Sequence, residues 1–399
     1  MCKLAYEKGR LISRRCVACR LPKDVVMLML SLFFLIDLVV YHKAHIASAT
    51  RTPTDDLTGE SFVRRRSTFY LVELSEFENL LPAIKTCGYT IYGAMSYERW
   101  KHHPARTLDK DKAKLFVFPP FLTDEVNWPT YGGGVWDNNY ARGGENPGST
   151  DIRGLPGRCS VDYENFIRNK YQFGPNQRYL LHFGSCGWDR GYALPGEAYN
   201  DTRAIIAKGN TLYSFYRRGI DISLPPPFTD NYYRMRHLPS STGRLRDIFL
   251  GFKGTLRNHP VRQTMHQLLH NTSGDILILD SSDDSIDYWQ LLSRSVFALV
   301  IRGDQAFSYR FSEAVCSGAI PVLISDDWVP PFEEVFQFHE YGVRVKERRL
   351  QDLLFKLRRL DMAERDRLAK NSLSFCLKHL ITPWHQFDTL MSVALSRCD

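Results

Sequence analysis

The most informative stretch of the chain, residues 294–332, alternates between apolar runs and short polar breaks. Residues 295–301 form an apolar run without Gly or Pro, and its length predicts a buried strand. After a short polar break, apolar positions recur at helical spacing from Ser308 onward. Gly318 stands where a helix often ends, because glycine readily adopts the left-handed conformation of a C-terminal cap. Residues 320–325 predict a second buried strand, so the stretch should fold as strand, helix, strand.

The polar side of the predicted helix carries Arg310, Glu313 and Ser317. Two strands joined by one helix in so short a span must run parallel. The polar segments 302–304 and 326–328 therefore leave the same edge of the sheet, where α/β proteins bind ligands. The N-terminus of the helix faces this edge as well, and its unpaired N–H groups favour a phosphate. This pattern predicts a site for an anionic, nucleotide-bearing ligand.

The rest of the chain repeats the alternation of strands and helices and predicts an α/β fold with two Rossmann-like halves. Further strands are predicted at 69–73, 114–119, 178–183, 221–224 and 247–252. Further helices are predicted at 161–171, from Pro260 onward and within 353–378. Residues 130–158 are rich in glycine and predict a long loop.

The start of the chain has a different composition from the rest. The formal net charge is +8, and seven Lys or Arg residues lie within the first 23 positions. Because the positive charge is concentrated there and no other stretch is a basic block with interleaved aromatics, the net charge does not indicate nucleic-acid binding. Residues 25–41 are mostly apolar, with Asp37 as the one charged residue, and they are long enough for a short membrane span. The basic leader predicts a signal-anchor whose N-terminus stays in the cytosol. A cleaved signal peptide and a buried core helix remain alternatives.

These patterns divide the chain into five predicted segments. They are a cytosolic tail (1–24), a transmembrane anchor (25–41), a polar stem (42–67), a first Rossmann-like half (68–235) and a second half with closing helices (236–399). Nine cysteines are present, six of them after the predicted anchor. In an oxidising compartment these six can form disulfides, but the sequence does not give their pairing.

The run RGDQAFSYRFSEAVCSGAIPVLISDDWVPPFEEVF (302–336) resembles the signature of the exostosin family, glycosyltransferase family 47. DIFLGFKGTLRNHPVRQ (247–263) and DISLPPP (221–227) are similar to the family's pattern in the expected order. The resemblance implies a GT-B fold, with two Rossmann-like domains facing a cleft. The first half would be the acceptor domain and the second the nucleotide-sugar donor domain. It also implies transfer of a sugar with inversion, and last helices that return to the first domain.

Inverting transfer needs a base for the acceptor hydroxyl, an accessible anomeric carbon and a stabilised nucleoside diphosphate leaving group. The resemblance implies that Arg, Lys and helix N-termini stabilise the leaving group without a metal ion. Lys253 and Arg257 follow a predicted strand and are candidates for this role, and Gly254 lets backbone approach closely. The alternative for both cations is a solvated loop charge.

Arg310 and Glu313 are the leading candidates on the helix. The resemblance implies that Arg310 meets the diphosphate and Glu313 accepts from ribose hydroxyls, whereas an intrahelical ion pair is the alternative. Asp326, Asp327 and Trp328 are predicted to contact the sugar or close the cleft. A metal is not expected there, because the sequence has no Asp-x-Asp pattern at this place. The remaining donor-site candidates are Arg302, Gly303, Asp304 and Ser308.

The catalytic base is the least determined residue. The resemblance implies that it comes from the first half, and Asp189 and His182 lie at or after the end of a predicted strand there. Asp124 follows another strand. Each of the three has a structural role as its alternative. Asp189 is the preferred candidate.

The leading hypothesis is an exostosin-like inverting glycosyltransferase of the Golgi membrane. It would be single-pass and type II with a lumenal catalytic domain, use a nucleotide sugar, most simply a UDP-sugar, and act on a glycan or glycoprotein acceptor. No cofactor beyond this donor is expected, and assembly with itself or related transferases is allowed. The alternative is a catalytically inactive relative that serves as a binding or assembly partner. An unrelated nucleotide-binding module is disfavoured because the sequence lacks a P-loop and a GxGxxG motif.

Overall fold

The structure is a computed structural model. It describes residues 67–73, 76, 91–118, 167, 170–182, 200–226, 246–270, 272–303 and 305–399. The predicted tail, anchor and most of the stem, the 130–158 loop, most of the 161–171 helix, Asp124, Asp189 and Asp304 lie outside these residues. Within them, no helix is both long enough and apolar enough to cross a membrane.

The first sheet has six strands, all parallel, in the order β2-β1-β3-β4-β5-β6. Its strands are β1 (Phe69–Leu71), β2 (Arg106–Thr107), β3 (Leu115–Val117), β4 (Arg178–His182), β5 (Ala204–Lys208) and β6 (Ile222–Ser223). The strands are shorter than the sequence predicts, although nearly all their residues are buried. Apolar runs mark burial, and only part of each run pairs with a neighbouring strand.

The second sheet has five parallel strands in the order β11-β10-β9-β7-β8. Its strands are β7 (Ile248–Lys253), β8 (Ile276–Leu279), β9 (Ser295–Ile301), β10 (Ile320–Ile324) and β11 (Val343–Arg344). Alternate residues of β9 face opposite sides: Phe297 and Leu299 belong to one hydrophobic cluster, and Ala298 and Val300 to another. Both faces are therefore covered, as is usual for parallel sheets.

Capping side chains and a left-handed glycine mark the ends of several helices. The described helices are α1 (Ile91–Lys101), α2 (Pro260–Leu269), α3 (Tyr288–Arg294), α4 (Arg310–Cys316), α5 (Leu353–Arg358), α6 (Met362–Phe375) and α7 (Pro383–Ser396). Asp287 caps α3 by accepting from two backbone N–H groups, and Thr382 caps α7. Gly318 ends the segment after α4 with a φ of 73°, the left-handed conformation that the sequence predicts.

The central strand–helix–strand unit confirms most of the prediction and corrects the start of its helix. Strand β9 has the predicted bounds and runs parallel to β10. The helix begins at Arg310 instead of Ser308, because the backbone at 308–309 forms a turn in which Phe311 N–H donates to the Ser308 carbonyl. On the predicted polar side of the helix, Glu313 and Ser317 are buried. Helix α4 contacts its own sheet, α6 and the following π-helical turn (Cys376–Leu380), so both its sides are covered.

Among the described residues, contacts join the two sheets at more than one place. Helix α7 packs on α1 beside the first sheet, where Arg99 forms a two-fold ion pair with Asp388 and Trp100 donates to the Phe387 carbonyl. This return of the last helix was expected from the family resemblance. The loop after β10 makes a second connection, and residues of both sheets contribute to one hydrophobic cluster. The α/β class with two parallel sheets is thus confirmed.

Candidate functional site

The carboxyl ends of β7, β9 and β10 are neighbours, because these three strands are adjacent and parallel. Lys253 ends β7, Arg302 follows β9, and Asp326 lies just after β10. Helices α3 and α4 both begin at this edge, one before β9 and one after it. The topology therefore brings most of the predicted donor-site residues to one edge of the second sheet. We call this edge the donor edge.

Arg310 lies over the end of β7. Its Nε donates to the Lys253 carbonyl at 3.1 Å, and its guanidinium carbon lies 5.1 Å from the centre of the Phe252 ring. A β-carbon at Gly254 would lie 2.6 Å from Cζ of Arg310, so only glycine leaves room for this guanidinium. Within the described part of the chain, the two terminal nitrogens donate to no other residue. They can therefore reach a ligand at the donor edge.

This geometry changes the explanation for Gly254. From the sequence, the glycine was expected to let the backbone approach a ligand closely. In the structure, the space above its α-carbon is occupied by the Arg310 side chain. Gly254 therefore supports the position of a candidate binding residue.

Glu313 lies in α4, one turn after Arg310, and its side chain is buried. Its carboxylate accepts a hydrogen bond from the hydroxyl of Tyr288, the first residue of α3. Burial, together with the neighbouring carboxylate, raises the pKa of Tyr288 well above its ordinary value. The phenol is therefore neutral and remains a donor. Sequence reasoning did not identify Tyr288, because it and Glu313 are 25 residues apart and on different helices.

The two cations after β7 differ in their surroundings. Lys253 is half-buried, and its amine donates to the Ile286 carbonyl at 2.9 Å, beside the start of α3. Arg257 is exposed on a short 3₁₀ helix (Leu256–Asn258) and hydrogen-bonds to none of the described residues. Asp280 supports this segment by accepting from Leu256 N–H, and that bond with others lowers its pKa to about 2. Both cations lie at the donor edge, and their contact with phosphate remains a prediction.

Arg262 is a buried cation that the sequence analysis missed. Its guanidinium donates to the carbonyls of Arg302, Thr255 and Ile301 at 2.9–3.1 Å and lies over Phe252. It thereby ties the end of β9 to the segment after β7. A sequence signal for it would have been its place on the inner side of α2, whose buried residues are Arg262, Met265 and Leu269.

The segments after β9 and β10 are joined through Glu347. Its carboxylate accepts from Asp326 N–H, and Asp326 accepts from Glu347 N–H, both at 3.1 Å. Arg302 approaches the same carboxylate at 3.6 Å. Gly303 is buried beside Arg262, and Ser308 is buried in the turn before α4. Arg302 therefore contacts a carboxylate in this structure, and its predicted contact with phosphate is untested.

Asp327 and Trp328 connect to the first sheet. The Asp327 side chain is exposed, while its carbonyl accepts from Tyr213 N–H at 2.7 Å. Trp328 is fully buried and donates from Nε1 to the Gly209 carbonyl at 3.2 Å. A short antiparallel bridge pairs Trp328 with Leu212. These contacts join the segment to the first sheet, and its two predicted roles, contact with the sugar and closure of the cleft, remain predictions.

His182 is the described candidate for the base. It ends β4 with a fully buried side chain, and its ring lies 5.4 Å from that of Trp100. Burial lowers the pKa of His182 to about 3, so the imidazole is neutral near pH 7. An enclosed ring of such low basicity is less suited to deprotonating an acceptor than an accessible carboxylate. Asp189 lies outside the described residues.

Comparison with known proteins adds the family to this geometry. Residues 157–360, just over half of the chain, match the Exostosin GT47 domain. A probable glycosyltransferase of Arabidopsis thaliana is 27% identical over 264 residues, 64% of this chain and 47% of that protein. Exostosin-1 of Drosophila melanogaster is 28% identical over 228 residues, 50% of this chain and 29% of that protein. The matched segment thus spans about half or less of these relatives.

Among solved structures, WaaG, a glycosyltransferase involved in lipopolysaccharide biosynthesis, aligns with 81% of this chain and 99% of its own. Identity is 10% and the TM-score is 0.35, so this likeness carries no argument about function.

The fold and the donor edge define an α/β protein built on two parallel sheets, with cations and a buried carboxylate at one carboxyl edge. The matched domain makes the assignment specific. The chain belongs to the exostosin GT47 family. The resemblance seen in the sequence is thereby confirmed.

Proposed function

We propose that this protein is an inverting glycosyltransferase that moves a sugar from a nucleotide-sugar donor to a glycan or glycoprotein acceptor. The observation that carries the proposal is the arrangement of Arg310 and Glu313. Both lie on α4 at the donor edge and inside the matched exostosin domain. Arg310 presents two terminal nitrogens from a fixed position, and Glu313 is a buried carboxylate held by a neutral phenol. A diphosphate needs a cation and the adjacent ribose needs a hydrogen-bond acceptor, and α4 carries one residue of each kind.

In the proposed reaction, the acceptor oxygen attacks the anomeric carbon as the bond from that carbon to the diphosphate breaks. The acceptor hydroxyl proton passes to the base, and the nucleoside diphosphate leaves with its negative charge. Arg310 stabilises this charge, with Lys253 and Arg257 as further contacts from the segment after β7. These three cations are the reason to expect no metal requirement. Binding measured in EDTA tests that expectation directly.

Asp189 is the proposed base. Its replacement by Asn preserves volume and removes basicity, so Asp189→Asn should abolish transfer while donor binding stays unchanged. If transfer survives in this variant, the base is another group. His182→Gln is the matching variant for the second candidate.

The proposed location is the Golgi membrane, with residues 25–41 as the anchor and the catalytic region in the lumen. A disulfide joins Cys316 at the end of α4 to Cys376. Such bonds persist in the secretory pathway and are rare in the cytosol, which supports a lumenal site. Protease protection of the tagged C-terminus in sealed vesicles would test the topology.

The first experiment measures donor binding by the purified full chain in detergent, by thermal shift with a panel of nucleotide sugars and EDTA present. We expect stabilisation by UDP and by one UDP-sugar. Arg310→Ala and Glu313→Gln should each weaken UDP binding about tenfold or more, since a hydrogen bond to a charged group contributes about 1.5–3 kcal/mol. Arg359→Ala, an exposed arginine of the second half away from α4, is the control.

Two results would count against the proposal. A folded wild-type protein that no nucleotide stabilises would favour the alternative, an inactive relative that binds or assembles with an active transferase. Equal loss of binding in Arg359→Ala would show that general charge, not the donor edge, attracts the nucleotide.

A further inference from the structure

Tyr288 and Glu313 connect the two helices that flank β9 at the donor edge. Tyr288 is the first residue of α3, which precedes β9, and Glu313 lies in α4, which follows β9. The Tyr288 hydroxyl donates to Oε2 of Glu313. The contact therefore depends on the fold and does not come from helical periodicity.

The phenol is fixed before it meets the carboxylate. Asp287 caps α3 by accepting from Trp289 N–H at 2.8 Å and Gln290 N–H at 3.2 Å, so the helix starts at a defined residue. The Tyr288 ring packs edge-on against Trp289 at 5.1 Å and against the hydrophobic cluster shared by both sheets. The hydroxyl is thus presented from a rigid element.

A hydrogen bond from Tyr288 limits the conformations that the Glu313 side chain can adopt. A glutamate side chain has several rotatable bonds, and fixing them costs conformational entropy each time a ligand binds. A hydrogen bond from a rigid phenol fixes the carboxylate beforehand. A carboxylate has about four acceptor positions, so the group that accepts from the phenol is also of a type that accepts from ribose hydroxyls.

Arg310 and Glu313 are both held in place by residues outside α4. Arg310 is three residues before Glu313, and its positive charge acts on the Tyr288 hydroxyl. Arg310 is itself directed to the Lys253 carbonyl and the Phe252 ring. With Glu313 directed to Tyr288, each member of the pair is held by a group outside α4.

We propose that Tyr288 is a positioning residue that orients Glu313 toward the ribose of a bound nucleotide and so sets selectivity for that sugar. The inference rests on the proposed function and deepens it, because it assigns the recognition of ribose hydroxyls to a tyrosine–glutamate pair. Tyr288 itself touches no ligand in this scheme.

The test compares UDP with 2′,3′-dideoxyuridine diphosphate, which keeps the base and diphosphate but lacks both ribose hydroxyls. Affinities are measured by calorimetry on the full chain. The wild type should prefer UDP. Tyr288→Phe keeps the ring and removes the hydroxyl, and it should weaken UDP binding about fivefold while binding of the dideoxy nucleotide stays the same. The preference for UDP, not affinity in general, is the quantity that should fall.

Two further variants make the result specific. Tyr341→Phe is the matched control, because it removes a buried phenolic hydroxyl that has no hydrogen-bond partner among the described residues. It should leave the preference unchanged. Glu313→Gln should lower the preference by itself, and adding Tyr288→Phe to it should lower the preference no further if the two residues act together.

Three results would overturn the inference. In the first, Tyr288→Phe melts at a lower temperature but keeps the wild-type preference, which assigns Tyr288 a structural role only. In the second, both nucleotides lose affinity equally, which assigns the effect to the diphosphate. In the third, the folded wild type binds neither nucleotide, which refutes the proposed function and this inference with it. Only the third affects the proposed function.

Discussion

At the scale of single residues, Gly254 connects the sequence to the geometry of the site. Because Gly254 has no side chain, the Arg310 guanidinium can lie over the end of β7. Since the overlapping atoms belong to the far end of a flexible side chain, an added methyl group should displace Arg310 and leave the backbone unchanged.

We therefore expect Gly254→Ala to melt close to the wild-type temperature and to bind UDP about tenfold more weakly, because the cation loses its position. Thermal shift and calorimetry on the same sample measure both quantities. Gly274→Ala is the matched control, since a β-carbon there meets nothing within 4 Å. Unchanged UDP affinity in Gly254→Ala would mean that Arg310 does not need this position.

His182 gives a prediction about pH. Burial lowers the pKa of its imidazole to about 3 in the folded protein, against 6.5 for an exposed histidine. Below pH 6.5 the unfolded chain therefore binds a proton that the folded protein does not, which favours unfolding. The stability associated with this residue is complete above pH 6.5 and is lost as the pH falls toward 3.

His182→Phe should consequently show a shallower loss of stability between pH 6.5 and 4 than the wild type, measured by urea unfolding at several pH values. His339→Gln changes an exposed histidine and should follow the wild-type curve. Parallel curves for His182→Phe and the wild type would show that the ring is accessible to solvent or paired when charged.

At the scale of secondary-structure elements, α4 illustrates what the sequence could predict. The apolar run of β9, the parallel pairing with β10 and the cap at Gly318 follow from local pattern alone, and the structure confirms them. Burial of Glu313 could not be predicted in this way. Helical periodicity separates two sides of a helix, whereas the elements that pack on α4, among them α3 through Tyr288 and α6, lie elsewhere in the chain.

The candidate site shows the same limit. Lys253, Arg302, Arg310 and Asp326 were placed at one sheet edge from strand order, because strand ends are visible in the sequence. The residues that hold these side chains in place could not be predicted from the sequence. Arg262, for example, donates to the Arg302 carbonyl 40 residues away. Contacts of this kind depend on tertiary packing, and no single-sequence pattern reports them.

The disulfide between Cys316 and Cys376 links α4 covalently to the turn that follows α6. It closes a loop of 60 residues. In the chain-entropy model, a loop of this length corresponds to about 4 kcal/mol of stability. The double variant Cys316→Ser/Cys376→Ser should therefore unfold at clearly lower urea concentration than the wild type.

Donor binding should weaken in the same double variant, because α4 carries Arg310 and Glu313. Cys398→Ser is the control, since that cysteine is a free thiol in the structure. Equal urea midpoints for the wild type and the double variant, both under non-reducing conditions, would show that packing alone holds α4.

At the scale of the whole molecule, the loop after β10 holds the two sheets together. Trp328 donates to Gly209, Val329 N–H donates to Thr211, and Ser223 donates to the Val329 carbonyl at 2.7 Å. Phe332 adopts a φ of 52°, an uncommon value for a residue other than glycine, and its N–H donates to the Ser223 carbonyl.

Trp328→Phe should lower the free energy of unfolding by about 1–3 kcal/mol, because the buried Gly209 carbonyl loses its donor. Amide hydrogen exchange should become faster in both β5 and β10, since the loop contacts both sheets. Trp289→Phe is the control, because the Trp289 indole N–H donates to none of the described residues. Faster exchange in only one of the two strands would show that the loop belongs to that sheet alone.

This loop also sets a rule for protein engineering. For a hybrid enzyme that combines the second half of this chain with the first half of a relative, a simple plan cuts between residues 226 and 246, which separate the first sheet from the second in sequence. Such a cut separates the 327–332 loop from the residues at 209–213 and 223 to which it is hydrogen-bonded. Hybrids that transplant both segments together should fold more often than hybrids that exchange sequence at the linker alone.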